Sequence, residues 1–184
     1  MKQVLSTREA ACIAMGAALI AVCSWLSIPA AVPFTLQTFA VCLVTAVFGL
    51  KLGLWSVGIY LLLGAVGLPV FSGFKGGLGA LLGATGGYLV GFLFTALIVG
   101  LAVRRFGRRP LALILSMALG ILVCYAFGTA WFMLVYARGS GPIGVLTALG
   151  WCVFPYLIPD AVKILLATLL TGRLYRLLHR EEKT

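Results

Sequence analysis

Acidic residues are nearly missing from this chain. Asp and Glu together number 4 in 184 residues, and His179 is the single histidine. Of the four acids only Asp160 falls inside an apolar stretch, so an aspartyl mechanism, which needs two carboxylates, is excluded. No HExxH run offers a zinc-protease site, and the lone histidine lies in the basic C-terminal tail, away from any serine that it would have to activate. There is no GxxxxGK[ST] phosphate loop, so the chain carries no ATPase motif of its own. The 5 cysteines, Cys12, Cys23, Cys42, Cys124 and Cys152, are odd in number and form no CxxC pair. They indicate neither a disulfide framework nor a metal site, and they read as small core hydrophobes. No cofactor is expected.

What is present is apolar. Hydrophobic residues make up 62% of the chain and the mean hydropathy is +1.15. A soluble domain averages roughly 45–50% apolar and cannot hide so much more at this size. The expectation is an all-α integral membrane protein, a compact bundle of six transmembrane helices forming a single membrane domain over residues 1–184. The spans run at about Glu9–Ile28, Phe34–Gly49, Gly53–Val70, Leu78–Val103, Pro110–Tyr136 and Leu146–Leu178. Lys2 and Arg8 ahead of the first span resemble a signal peptide, but the apolar run exceeds the usual 7–15-residue core and no small-x-small cleavage site follows. It is read as a retained helix.

The net charge is +10, and its placement decides its meaning. With six spans, one face collects Lys2, Arg8, Lys51, Arg104, Arg105, Arg108, Arg109, Arg173, Arg176, Arg180 and Lys183. The other face holds Lys75 and Arg138, and Lys163 stays inside a span. This asymmetry is the positive-inside pattern, so both termini are expected in the cytoplasm, with the clusters touching lipid headgroups. Nucleic-acid binding is not expected.

Asp160 and Lys163 break the membrane rules. Either charge at mid-span costs about 2.5–3.5 kcal/mol on insertion scales, so an intramembrane pair is by default a functional-site hypothesis. Their i, i+3 spacing puts them on one helix face. Pro155 and Pro159 just before them should interrupt the helix, which is tolerated only against protein or a cavity. At 1.5 Å per residue from the basic anchors Arg173, Lys51, Arg104 and Arg109, the groups Asp160, Gln37, Tyr88 and Tyr125 rise ~20–24 Å, with Thr35 and Thr85 at or above that height. Polar groups from four helices thus gather towards the non-cytoplasmic side, as a pocket open outward requires. Phe34, Gln37 and Tyr88 would supply walls and orientation. The short loop Pro29–Pro33 is either a lid or a plain tight turn. The glycine-rich connection Gly67–Gly79 reads as a close-packed turn. On the first span Ala10, Ala14 and Ala18 make a small-residue strip, suited either to internal packing or to docking a partner membrane protein.

Four segments in order carry a resemblance: Val32-Pro33-Phe34-Thr35-Leu36-Gln37-Thr38, Tyr60 to Phe71, Gly83-Ala84-Thr85-Gly86-Gly87-Tyr88-Leu89, and Phe154-Pro155 through Lys163. Over almost the whole chain the sequence resembles the BioY family, biotin-specific substrate-capture (S) components of energy-coupling-factor (ECF) transporters. Ala84 departs from it, standing where the family often has proline. The resemblance implies the S-component fold and a biotin pocket near the outer face, capped by the loop between the first two helices. It carries the family's binding Asp and Lys onto Asp160 and Lys163, and its contact with the transmembrane T component onto Ala10, Ala14 and Ala18. It implies two cytoplasmic ATPases as further partners, a loaded S component that topples during transport, and residence in the bacterial cytoplasmic membrane. A stand-alone proton-coupled biotin transporter, and an S component for another vitamin, are the alternatives.

Overall fold

The computed structural model describes residues 6–178. Among the described residues there are seven α-helices: α1 (Thr7–Trp25), α2 (Gln37–Val66), α3 (Leu78–Leu82), α4 (Gly86–Phe106), α5 (Pro110–Ser140), α6 (Val145–Cys152) and α7 (Leu157–Leu178). Between α1 and α2 lies an antiparallel hairpin of β1 (Ser27–Ile28) and β2 (Phe34–Thr35). Two single 3-10 turns, Ser72–Phe74 and Phe154–Tyr156, complete the path.

Five helical stretches among the described residues are long and apolar enough to cross a membrane, and the 30-residue α2 is one of them. It is not straight. Gly49 sits at φ 82°, ψ −176°, a conformation open to glycine and costly to other residues. A Cβ built on Gly53 would lie 2.8 Å from the Thr45 Cα, although a continuous helix separates positions eight apart by ~12 Å. The Gln37 side chain likewise reaches the Tyr60 hydroxyl, 23 positions away. Residues 37–48 and 50–66 therefore form two antiparallel arms folded at Gly49. Counting these arms separately, and α3–α4 and α6–α7 as interrupted crossings, gives the six-helix bundle expected from sequence.

The boundaries differ where glycine and proline act. The third span ends at Val66, not Val70, because Gly67 turns left-handed (φ 111°) and Leu68 N–H bonds back to Leu63 O at 3.1 Å. The fourth is broken at Gly83, whose backbone is extended, and the Trp131 indole N–H donates to the Gly83 carbonyl at 3.0 Å. The sixth is interrupted at residues 153–156, where the prolines had placed a break. The small β-hairpin adds to an otherwise all-helical architecture.

The bundle turns apolar side chains both inward and outward. Ile20, Val41, Val57, Tyr60, Val99 and Met117 are fully buried, while Leu111, Leu115, Leu119 and Leu122 run along α5 at 54–68% exposure. A stripe of exposed leucines at helical spacing is a lipid-facing surface. The chain is a multi-pass membrane protein.

One end of the bundle is basic. Ser6 caps α1 through a reciprocal pair of hydrogen bonds with Glu9, and Glu9 reaches Lys51 beside the α2 fold at 2.9 Å. Arg108, between α4 and α5, donates to Ala46 O and Val47 O at 2.9 Å each and lies 3.7 Å over the Tyr175 ring of α7. Lys51, Arg104, Arg108 and the end of α7 thus come together, with Arg8 in the first turn of α1 next to Glu9. Lys2, His179, Arg180 and Lys183 lie outside the described residues.

Candidate functional site

At the other end, α2, α4, α5, α7, the β-hairpin loop and the glycine-rich connection enclose a cavity of about 590 Å³. Small-molecule sites fall in the range of roughly 300–1,000 Å³. Its lining brings together Thr35, Gln37, Thr85, Tyr88, Tyr125, Asp160 and Lys163, the polar groups that the sequence had gathered towards the non-cytoplasmic side. The interruption at residues 153–156 starts α7 just before Asp160, so both charged side chains leave its first two turns on one face.

Asp160 and Lys163 are 4% and 5% exposed, and Lys163 Nζ lies 2.7 Å from Asp160 Oδ1. The ammonium also donates to Thr35 O at 2.6 Å and to Thr38 Oγ1 at 3.3 Å, and sits 4.2 Å over the Phe34 ring. Its three donors all have partners within the protein. Asp160 accepts from Lys163 and Thr38 on Oδ1 and from the Tyr125 hydroxyl on Oδ2. A carboxylate offers about four lone-pair sites, so one acceptor position remains for a ligand. Gln37 is held at both ends, its Oε1 by the Thr35 hydroxyl at 3.0 Å and its Nε2 by Tyr60. One of its two N–H donors is left over.

Phe34 does not itself line the cavity; it stands behind Lys163 and stacks on Tyr156 at 6.2 Å. Tyr88 is fixed by a 2.9 Å hydrogen bond to Thr129 and by Gly128, whose Cβ would fall 2.3 Å from the Tyr88 ring. The loop 29–33 supplies Ala30 to Pro33 to the lining, and the Tyr156 hydroxyl donates to Val32 O. The loop is thus part of the wall of the pocket.

A search with protein-family models matches residues 1–180 to the BioY family. The chain belongs to the BioY family. It is 38% identical over 171 residues to a probable biotin transporter BioY of Pyrococcus horikoshii, covering 92% of this chain and 98% of that one. It is 40% identical over 162 residues to the biotin transporter BioY of Thermotoga maritima, covering 87% and 91%. Among solved structures, the crystal structure of the S-component for biotin from an ECF-type ABC transporter superposes with a TM-score of 0.83 at 26% identity, covering 96% of this chain and 95% of that chain.

Among the lining residues of this BioY-family chain that the sequence had not marked as site residues, three bear directly on its polar chemistry. Thr38 bonds to both members of the ion pair, Tyr156 latches the loop, and Lys75 reaches the rim. Thr38 and Tyr156 stand inside segments that carried the resemblance. Lys75 had been counted only as a charge of the outer face. On α1 the structure separates the two faces of the helix: Ile13, Gly16, Ala17 and Ile20 are buried, whereas Ala10, Ala14 and Ala18 are exposed.

Proposed function

We propose that this chain captures biotin on the outer side of the cytoplasmic membrane, as the S component of an ECF transporter with both termini inside. The observation that carries the reading is the buried Asp160–Lys163 pair beside a cavity of small-molecule size. Biotin presents two ureido N–H donors, one carbonyl, an apolar ring and chain, and a carboxylate. The free acceptor position of Asp160 suits a ureido N–H, and the spare Gln37 N–H suits the ureido carbonyl. Tyr88, Phe92 and Leu89 give the apolar wall. The relatives' names and the S-component neighbour agree with this chemistry.

The exposed Ala10, Ala14 and Ala18 strip is the proposed contact with a T component, since small side chains let another membrane helix approach closely. The chain brings no ATPase motif, so two cytoplasmic ATPases acting through that component would supply the energy. The basic end with Arg104 and Arg108 is then cytoplasmic, and the whole chain acts as one membrane unit.

The test is calorimetric titration of detergent-purified protein with biotin, with thiamine and riboflavin as controls. One-to-one binding of biotin alone is expected, weakened on the order of ten- to a hundredfold by Asp160→Asn or Lys163→Ala, the worth of one hydrogen bond to a charged group. Folded protein that ignores biotin, or variants that both keep full affinity, would refute the assignment.

A further inference from the structure

Three charged side chains line the cavity: Asp160, Lys163 and Lys75. The first two are buried and neutralise each other. Lys75 lies at the exposed rim, on the connection between α2 and α3. Among the described residues there are two carboxylates, and both are engaged, Glu9 with Lys51 and Asp160 with Lys163. The positive charge of Lys75 therefore has no acid of the described chain to meet.

The backbone that carries Lys75 is held from several sides. Phe71 N–H donates to Lys75 O at 2.9 Å, and the Phe71 ring is buried against Gly64 and edge-on to Tyr60 at 5.5 Å. Phe74 stacks on Trp25 at 5.3 Å, and Gly77 N–H donates to Gly64 O at 2.7 Å. A Cβ on Gly76 would strike Leu68 O at 2.3 Å, so the chain there is packed against its own connection. The rim position is thus fixed although no acid among the described residues pairs with the ammonium.

We infer that Lys75 binds the carboxylate of the ligand, so the cavity recognises a singly anionic molecule at two points, by its polar ring at Asp160 and by its acid group at the rim. The inference rests on the biotin reading and sets the direction of the ligand. A carboxylate placed beside Asp160 would meet a like charge, whereas at Lys75 it meets the one uncompensated cation of the cavity. The ureido ring, with donors for Asp160, therefore enters first.

The probes are biotin and biotinamide, which differ only at the acid end, an anionic carboxylate in one and a neutral amide in the other. Wild type should bind biotin on the order of tenfold more tightly, between the value of an exposed ion pair and that of a buried charged hydrogen bond. This preference should shrink with added salt, since the rim is open to solvent. Lys75→Gln should bind biotin no better than biotinamide, and Lys75→Arg should keep the preference. A Lys75→Gln protein that still prefers biotin tenfold overturns the inference while leaving the biotin reading intact, and so does a wild type that binds both alike. Folded wild type that binds neither overturns the biotin reading and this inference with it.

Discussion

Replacing Lys163 by methionine keeps the length of the side chain and strands the Asp160 carboxylate at 4% exposure, with Thr38 and Tyr125 as its remaining donors. Replacing Asp160 by asparagine does the reverse. The ammonium keeps Thr35 O and Thr38 Oγ1 but loses its counter-charge, while an amide N–H₂ takes the Oδ2 position against the Tyr125 hydroxyl. At 2.7 Å and an effective dielectric constant near 20, the pair attracts by about 6 kcal/mol. Desolvating each ion opposes this by several kcal/mol, so the net value of the intact pair is small. Each single replacement removes the attraction and keeps one desolvation cost, which predicts a loss of about 3–5 kcal/mol. The double variant Asp160→Asn/Lys163→Met removes both charges at nearly constant shape. It should lose less than either single alone, so the coupling must exceed one single loss and approach the attraction of about 6 kcal/mol.

Unfolding of the four proteins in one detergent, followed by tryptophan fluorescence, measures the cycle. On the scaling for soluble domains of this size, each single should lower the midpoint by ~6–20 °C, and the double should recover part of it. Losses that add, or a double variant less stable than either single, would refute the reasoning, because they would mean that the two charges are stabilised independently of each other.

Arg108→Lys should cost about 1–3 kcal/mol by losing the paired donation to Ala46 O and Val47 O and the stacking on Tyr175, read as a lower denaturant midpoint. A lysine variant as stable as wild type would contradict this account of the basic end. Gly53→Ala should cost about 1–3 kcal/mol, since its Cβ meets the Thr45 backbone at 2.8 Å, whereas Gly58→Ala on the same arm meets nothing within 4 Å and should leave the midpoint equal or higher. Equal effects at the two glycines would argue that the arms of α2 are not closely packed.

The sequence disclosed those features whose cost is paid in hydrocarbon. Asp160 and Lys163 were legible because charge at depth is expensive, and Gln37, Tyr88 and Tyr125 because 1.5 Å per residue makes a usable ruler from basic anchors. Hydroxyls are different. Thr171 and Ser56 satisfy themselves on carbonyls of their own helices, at 2.7 Å to Ala167 O and 2.8 Å to Leu52 O. Thr38 instead turns towards a carboxylate of α7, 122 positions away. Both behaviours cost the helix little, so hydropathy cannot tell them apart, and only the fold assigns Thr38 to the ion pair. The break at Gly83 is hidden for a related reason, because the apolar run continues through it, whereas the interruption at residues 153–156 is announced by Pro155 and Pro159. Lys75 is the sharpest instance. In the sequence it is one of two cations on the sparsely charged face, a small exception to a topology rule. Its chemical meaning requires knowing that Asp160 already has Lys163, that Glu9 already has Lys51, and that the connection carrying Lys75 folds over the cavity. A charge count is a property of composition, whereas an uncompensated charge is a property of the fold, and it is the second that can select an anion.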